Sequence, residues 1–216
     1  VECQSHVGRL SAGGAWRRPA SAARVDSVRV MQQRRVGRSG LSVSALGLGT
    51  LTWGTAVDHD TAGDLLTAFH AAGGTLVDTA PTYGDGLAEL WLGELVTGTV
   101  PRADLVIVSK AGLHWHTGER RVDTSRRGML GSLDASLQRL RTDYVDVWLA
   151  HVWDPQVPLA ETLGALEYAV QSGRARYVGV SNYRAWQTAR AYSLLEQARI
   201  PLMVNEIEHS LVERGM

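Results

Sequence analysis

The sequence predicts an α/β protein of the parallel (β/α)8 TIM-barrel type. It has an N-terminal β-hairpin and about six of the eight strand–helix units. Three observations predict this. Short, very apolar, non-alternating segments take turns with segments of helical apolar period, and strands read that way when both faces of a parallel sheet are covered. The connections are short, so the crossovers are right-handed and the strands run the same way. No G-x-G-x-x-G follows the first strand, since Gly47 and Gly49 are followed by Thr52. That disfavours the open dinucleotide-binding sheet, the competing architecture.

The elements follow in order. Arg34–Val36 and Leu41–Ser44 form a hairpin around the turn residues Gly37–Gly40. The first parallel strand spans 45–49. A helix over 60–72 is stopped by Gly73 and Gly74. Strand 75–79 leads to helix 88–96, and strand 105–109 leads to a long helix opened by Asp123, Thr124 or Ser125. Leu130, Leu133, Leu137 and Leu140 give that helix one buried stripe. Strand 144–150 precedes helix 159–171, and strand 175–180 precedes helix 184–198. Strand 202–208 is the sixth. Barrels run to about 250 residues, so residues 31–216 read as an incomplete barrel domain, short of two units and a final helix.

Composition narrows the function classes. The 216 residues carry formal net charge zero, which argues against an electrostatic binder of nucleic acid or a membrane surface. No apolar run reaches the roughly 18 residues of a spanning helix. The single cysteine, Cys3, has no internal disulfide partner, and no Cys/His cluster has zinc spacing. A reducing cytoplasm fits this usage. Segment 1–30 is unlike the rest, with Arg9, Arg17, Arg18, Arg24 and Arg29 among many Ala, Ser and Gly and no apolar period. It reads as a disordered or non-native leader ahead of Met31, with a transit peptide as the functional competitor.

Chemistry concentrates where strands end. VDTAPTYG (77–84), VSKAG (108–112) and LAHVWD (149–154) deliver Asp78, Tyr83, Lys110 and His151 to successive strand ends. In a parallel barrel these face one side. Tyrosine, with a pKa of about 10, is a weak acid at neutral pH, and a nearby cation would lower it. Lys110 is placed to be that cation, and Asp78 is the charge partner that a desolvated lysine needs. His151 can orient a carbonyl oxygen. Each residue alone has an ordinary reading: a rim aromatic, a solvated lysine, a turn-capping aspartate, a satisfied histidine. Their co-occurrence at successive strand ends points to proton transfer. His114 and His116 lack a placed third ligand and read as a solvated substrate loop. Trp53, Trp115 and Trp153 either wall an apolar pocket or pack the rim. Asp143 reads as a turn residue and Asp146 as a structural acid at the opposite face.

These segments resemble the aldo-keto reductase superfamily from about Arg34 to Gly215. The likeness rests on the hairpin, GLGT (47–50), DTA-x-x-YG (78–84), the lysine and histidine just named, and GVSN (179–182). The resemblance implies a barrel that reduces an aldehyde or ketone to an alcohol with NADPH, NADH not being excluded. Asp78, Tyr83, Lys110 and His151 would be its catalytic residues, and Tyr83 the proton donor. It implies that Ser181 and Asn182 hydrogen-bond the nicotinamide carboxamide and that Gly49 and Thr50 line the cofactor, with Asp78 beside it. Glu206 stands where the family usually has glutamine, and a carboxylate accepts from an amide NH2 but donates only when protonated. The implied partner is a small carbonyl compound, with neither nucleic acid nor membrane; the oligomeric state is not implied. Two rivals stand beside an active reductase: a cofactor-binding regulatory subunit, and an inactive fragment whose open sheet edges invite association.

Overall fold

A computed structural model describes residues 31–116 and 118–214; the predicted leader 1–30 lies outside them. Among the described residues ten strands and five α-helices follow the order that the sequence predicts, with one addition. β1 (Gln33–Arg35) and β2 (Ser42–Ser44) pair antiparallel as the expected hairpin. β3 (Gly47–Gly49), β4 (Leu76–Asp78), β5 (Val106–Ala111), β8 (Val145–Ala150), β9 (Ala175–Ser181) and β10 (Leu202–Glu206) form one wholly parallel sheet in chain order. It curls into part of a barrel. The addition is a second hairpin, β6 (Leu113–His116) with β7 (Glu119–Val122). The solvated loop expected at His114 and His116 is thus a strand of this hairpin.

The helices begin and stop for local reasons. Asp58 caps α1 (His59–Ala71), its Oδ1 accepting from the Thr61 N–H at 2.8 Å. Ser125 caps α3 (Arg126–Leu140) by accepting from the Gly128 N–H. At α5 (Ala185–Gln197) the Gln187 side chain accepts from the Arg184 N–H. α2 (Leu87–Gly98) and α4 (Leu159–Gln171) complete the outer layer. Among the described residues no helix is long and apolar enough to cross a membrane.

Strand parity sorts the side chains into two cores. Val77, Ile107, Trp148, Ala150, Val178 and Val180 face outward and pack with Leu66, Leu92, Leu133, Leu140 and Leu166 of the helices. Each such leucine, fully buried, contributes about 1.5–3 kcal/mol over an exposed one. Val108, Val147 and Leu149 face inward with Leu76, Val106, Tyr177 and Val204 around them. Leu41, next to β2, packs against this inner cluster. Two residues on from the inner set, by the period of a strand, come Asp78, Lys110, His151 and Glu206, and two periods on from Tyr177 comes Ser181. The inner face is apolar at one end and ionisable at the other.

β10 reaches that pattern through an irregularity. Leu202 pairs with Val178 and packs outward, whereas Asn205 pairs with Val180. Three residues on β10 therefore oppose two on β9, the signature of a β-bulge. The extra residue brings Glu206 level with Ser181 and onto the inner face. Gly179 allows the close approach of the two strands. A Cβ there would lie 2.4 Å from the Val204 carbonyl oxygen and 2.8 Å from Leu149. Gly179→Ala is expected to force β10 away from β9 and to destabilise the protein by about 1–3 kcal/mol. Chemical denaturation followed by circular dichroism checks it; an unchanged midpoint would mean the strands have room to spare.

Candidate active site

The site is built on a buried ammonium. Lys110, at the inner face of β5, is 0% exposed. Its Nζ lies 2.5 Å from Asp78 Oδ1 on β4 and 3.2 Å from Glu206 Oε1 on β10. It also donates to the Tyr83 hydroxyl at 3.1 Å and to the Thr79 carbonyl at 3.3 Å. Four acceptors surround three N–H bonds, so one is shared. Burial alone would push the lysine down, but the carboxylates of Asp78 and Glu206 outweigh it and hold the ammonium above the ordinary lysine range.

Tyr83 is lifted over the inner face by a tight turn. Gly84, Asp85 and Gly86 follow it with φ of 56°, 54° and 88°, all left-handed. A Cβ on Gly84 would lie 2.3 Å from the Trp53 carbonyl oxygen, so the turn can seat only glycine there. The phenolic hydroxyl is 3.4 Å from Asp78 Oδ2. Lys110 acts on the Tyr83 pKa in the expected direction, but it does not decide the net shift. Burial raises it, the Lys110 charge lowers it, and Asp78 and Glu206 raise it again, leaving it above the free tyrosine value.

His151 stands just past β8, its ring 6.4 Å from that of Tyr83 and nearly perpendicular to it. Nδ1 is buried and has no hydrogen-bond partner among the described residues. Burial, then the charges of Lys110 and Arg120, pushes its pKa down to about 4. The imidazole is neutral at neutral pH and has one N–H to donate. The main chain beneath is also fixed: Asn182 Nδ2 donates to the His151 carbonyl at 3.1 Å and to Ser181 Oγ at 3.0 Å. That leaves the Asn182 Oδ1 to accept and the Ser181 hydroxyl hydrogen to donate, a pair with the polarity of a primary carboxamide.

The remaining predicted residues fall into place differently. Gly49 is exposed at the end of β3, with open space where a side chain would be. Thr50 is fully buried, and both its N–H and its hydroxyl donate to the Asp78 carbonyl, at 2.9 and 3.0 Å. It fixes Asp78. Trp53 is 1% exposed and belongs to the core, not to the wall of a pocket. Trp153 stacks edge-on with Tyr183 and with the exposed Trp186. Trp115 is exposed on β6 opposite Arg120. Asp146 accepts from Arg102 at 2.7 Å and from the Ile107 N–H at 2.9 Å, the structural acid expected.

Two features escaped the sequence reading. Glu89 is fully buried on α2, accepting from Ser109 Oγ at 2.6 Å and from Arg139 Nε at 2.8 Å. It anchors β5 one residue before Lys110. Its signal was a glutamate among apolar positions of a helix. The second is the contact of Glu206 with Lys110. Its own pKa is raised by burial and by Asp78, with Lys110 opposing.

The depressed His151 value has a measurable consequence. Its folded pKa lies below the unfolded value of about 6.5. The stability it contributes is therefore complete above pH 6.5 and is lost as pH falls toward 4. Imidazole proton resonances followed by NMR should show one histidine, absent from His151→Gln, with a midpoint near 4. A midpoint near 6.5 would mean that the ring is open to water.

Comparison with known proteins places this geometry. Residues 45–215 match the aldo/keto reductase family. The L-glyceraldehyde 3-phosphate reductase of Escherichia coli (strain K12) is 36% identical over 189 residues, 85% of this chain and 55% of that protein. A solved structure of a thermostable aldo-keto reductase, in complex with the inhibitor epalrestat, is 34% identical. It superposes with a TM-score of 0.72 over 85% of this chain and 65% of its own. The chain thus spans between about half and two thirds of the length of these relatives. With the tyrosine, lysine, aspartate and histidine gathered at one end of a curled parallel sheet, the chain belongs to the aldo/keto reductase family.

Proposed function

We propose that the protein reduces an aldehyde or ketone to an alcohol with a nicotinamide nucleotide. The observation that carries this reading is the Tyr83 hydroxyl, held 3.1 Å from a buried ammonium and beside a neutral imidazole. Tyr83 is the proton donor. Its phenol is protonated at neutral pH, as a free tyrosine is, and burial and two carboxylates raise its pKa further. A developing alkoxide is a far stronger base than a phenolate, so the transfer runs downhill once charge builds on the oxygen. The phenolate left behind is stabilised by Lys110 at contact distance. His151 donates to the same oxygen and orients it, and Asp78 holds Lys110 in register.

A nicotinamide bound at the mouth would supply the hydride. The residues present fit its carboxamide. Asn182 Oδ1 and the Ser181 hydroxyl offer an acceptor and a donor at one strand end, and Glu206 offers a further acceptor. Gly49 leaves space beside Asp78 for a flat ring. NADPH is the cofactor proposed, with NADH open. The substrate is a small carbonyl compound. The relation to the L-glyceraldehyde 3-phosphate reductase favours an aldehyde.

Tyr83→Phe is expected to lower kcat for carbonyl reduction by about 10²–10⁴-fold. It should leave the Kd for the nucleotide within about twofold, since the hydroxyl alone is removed. In the wild type, kcat/KM should fall on the alkaline side only above the ordinary tyrosine pKa of about 10. Steady-state kinetics and fluorescence titration, run in parallel, check both. Nucleotide binding without turnover in the wild type would instead identify a cofactor-binding regulatory protein.

A further inference from the structure

Lys110 carries one positive charge and faces two carboxylates. The pair with Asp78 is the closer, at 2.5 Å, against 3.2 Å for Glu206. With both carboxylates ionised, the cluster has one negative charge in surplus on a largely buried face. Glu206 is the more exposed of the two, its side chain 39% accessible against 25% for Asp78. Its backbone carbonyl also accepts from the Asn182 N–H at 2.8 Å, which joins it to the residues suited to a carboxamide. The surplus charge therefore lies where the nicotinamide would lie on the reading above. The groups that act on Glu206 come from other elements: Lys110 on β5, Asp78 on β4 and Tyr83 in the turn after β4. From β9 the neighbours are the uncharged Ser181 and Asn182.

Oxidised and reduced nicotinamide differ by one charge. The oxidised ring is a cation and the reduced ring is neutral. Glutamine at this position would treat the two alike, whereas a carboxylate does not. We infer that Glu206 is a charge-selecting residue, its carboxylate making the site hold the oxidised nucleotide more tightly than an amide there would. This deepens the cofactor reading and rests on it. A unit charge at about 6 Å in a partly solvated site changes an affinity by about tenfold. Since a protonated Glu206 behaves as an amide would, the selectivity should grow as pH rises and the carboxyl ionises.

The test is a set of tryptophan-quenching titrations with NADP⁺ and NADPH, repeated with NAD⁺ and NADH. They use the wild type, Glu206→Gln and Glu206→Asp, with the protein at full length. The ratio Kd(reduced)/Kd(oxidised) is expected to fall about tenfold in Glu206→Gln and to be largely kept in Glu206→Asp, which retains the charge. In the wild type the ratio should rise between pH 5 and 9. An unchanged ratio in Glu206→Gln, with both nucleotides bound, overturns the inference and leaves the cofactor reading standing. If Glu206→Gln does not fold, the wild-type pH series decides, and a flat ratio overturns it. Failure of the wild type to bind any of the four nucleotides overturns the cofactor reading itself, and this inference with it.

Discussion

Burying an ammonium is among the costliest things a fold can do, and here the inner face is arranged around one. An unpaired lysine at 0% exposure would lose its proton or its place. Lys110 keeps both because four strand-end groups converge on its Nζ. Each convergence has a backbone cause. Strand period puts Asp78 and Lys110 on the same face as the apolar residues two positions before them. Thr50 fixes the Asp78 carbonyl from the neighbouring strand. One residue earlier and on the opposite face, Ser109 is tied to the buried Glu89, itself paired with Arg139 of α3. The outer helices thus hold the strand that presents the lysine.

The same ammonium sets the protonation states around it, though not always in the direction that a pairwise argument gives. Beside His151 it adds to burial, and both favour the neutral ring. Beside Tyr83 it works against burial and against two carboxylates, and loses. A phenol of raised pKa does not make a poor catalyst for carbonyl reduction. In the proposed reduction the donor must be protonated at the start, and its phenolate needs stabilising only once the proton has left. Lys110 at 3.1 Å is in position for that later moment.

Much of this was legible in the sequence because it follows local rules. Apolar period, Ser125 among three candidate caps, and Gly73 and Gly74 as a stop place the helices to within a residue or two. The lysine, the aspartate and the histidine are legible as strand-end residues once the strands are known. The hairpin at 113–122 was not, because both of its strands are polar: His-Trp-His opposite Glu-Arg-Arg has no buried face to announce it. Trp53 could not be told from a rim residue, since its burial depends on the turn at Gly84 closing over its carbonyl. The Tyr83 shift is a sum over groups from three elements, and desolvation, its largest part, exists only in the folded protein.

The contact of Glu206 with Lys110 was the least legible, and the reason is geometric. β5 and β10 are separated by β8 and β9, three strand spacings or about 14 Å in a flat sheet. Their side chains meet at 3.2 Å only because the sheet curls. They meet on the inner face only because one extra residue between Leu202 and Asn205 re-aims the end of β10. The ion pair in turn joins an edge strand of this sheet to its middle, across the concave side, at the end where Asp78 draws β4 to the same atom. Curl, bulge and charge are therefore one constraint. A sheet too flat would leave the ammonium one carboxylate short, and a β10 without its bulge would turn Glu206 toward α5, where Asn205 now hydrogen-bonds Tyr183 and Thr188.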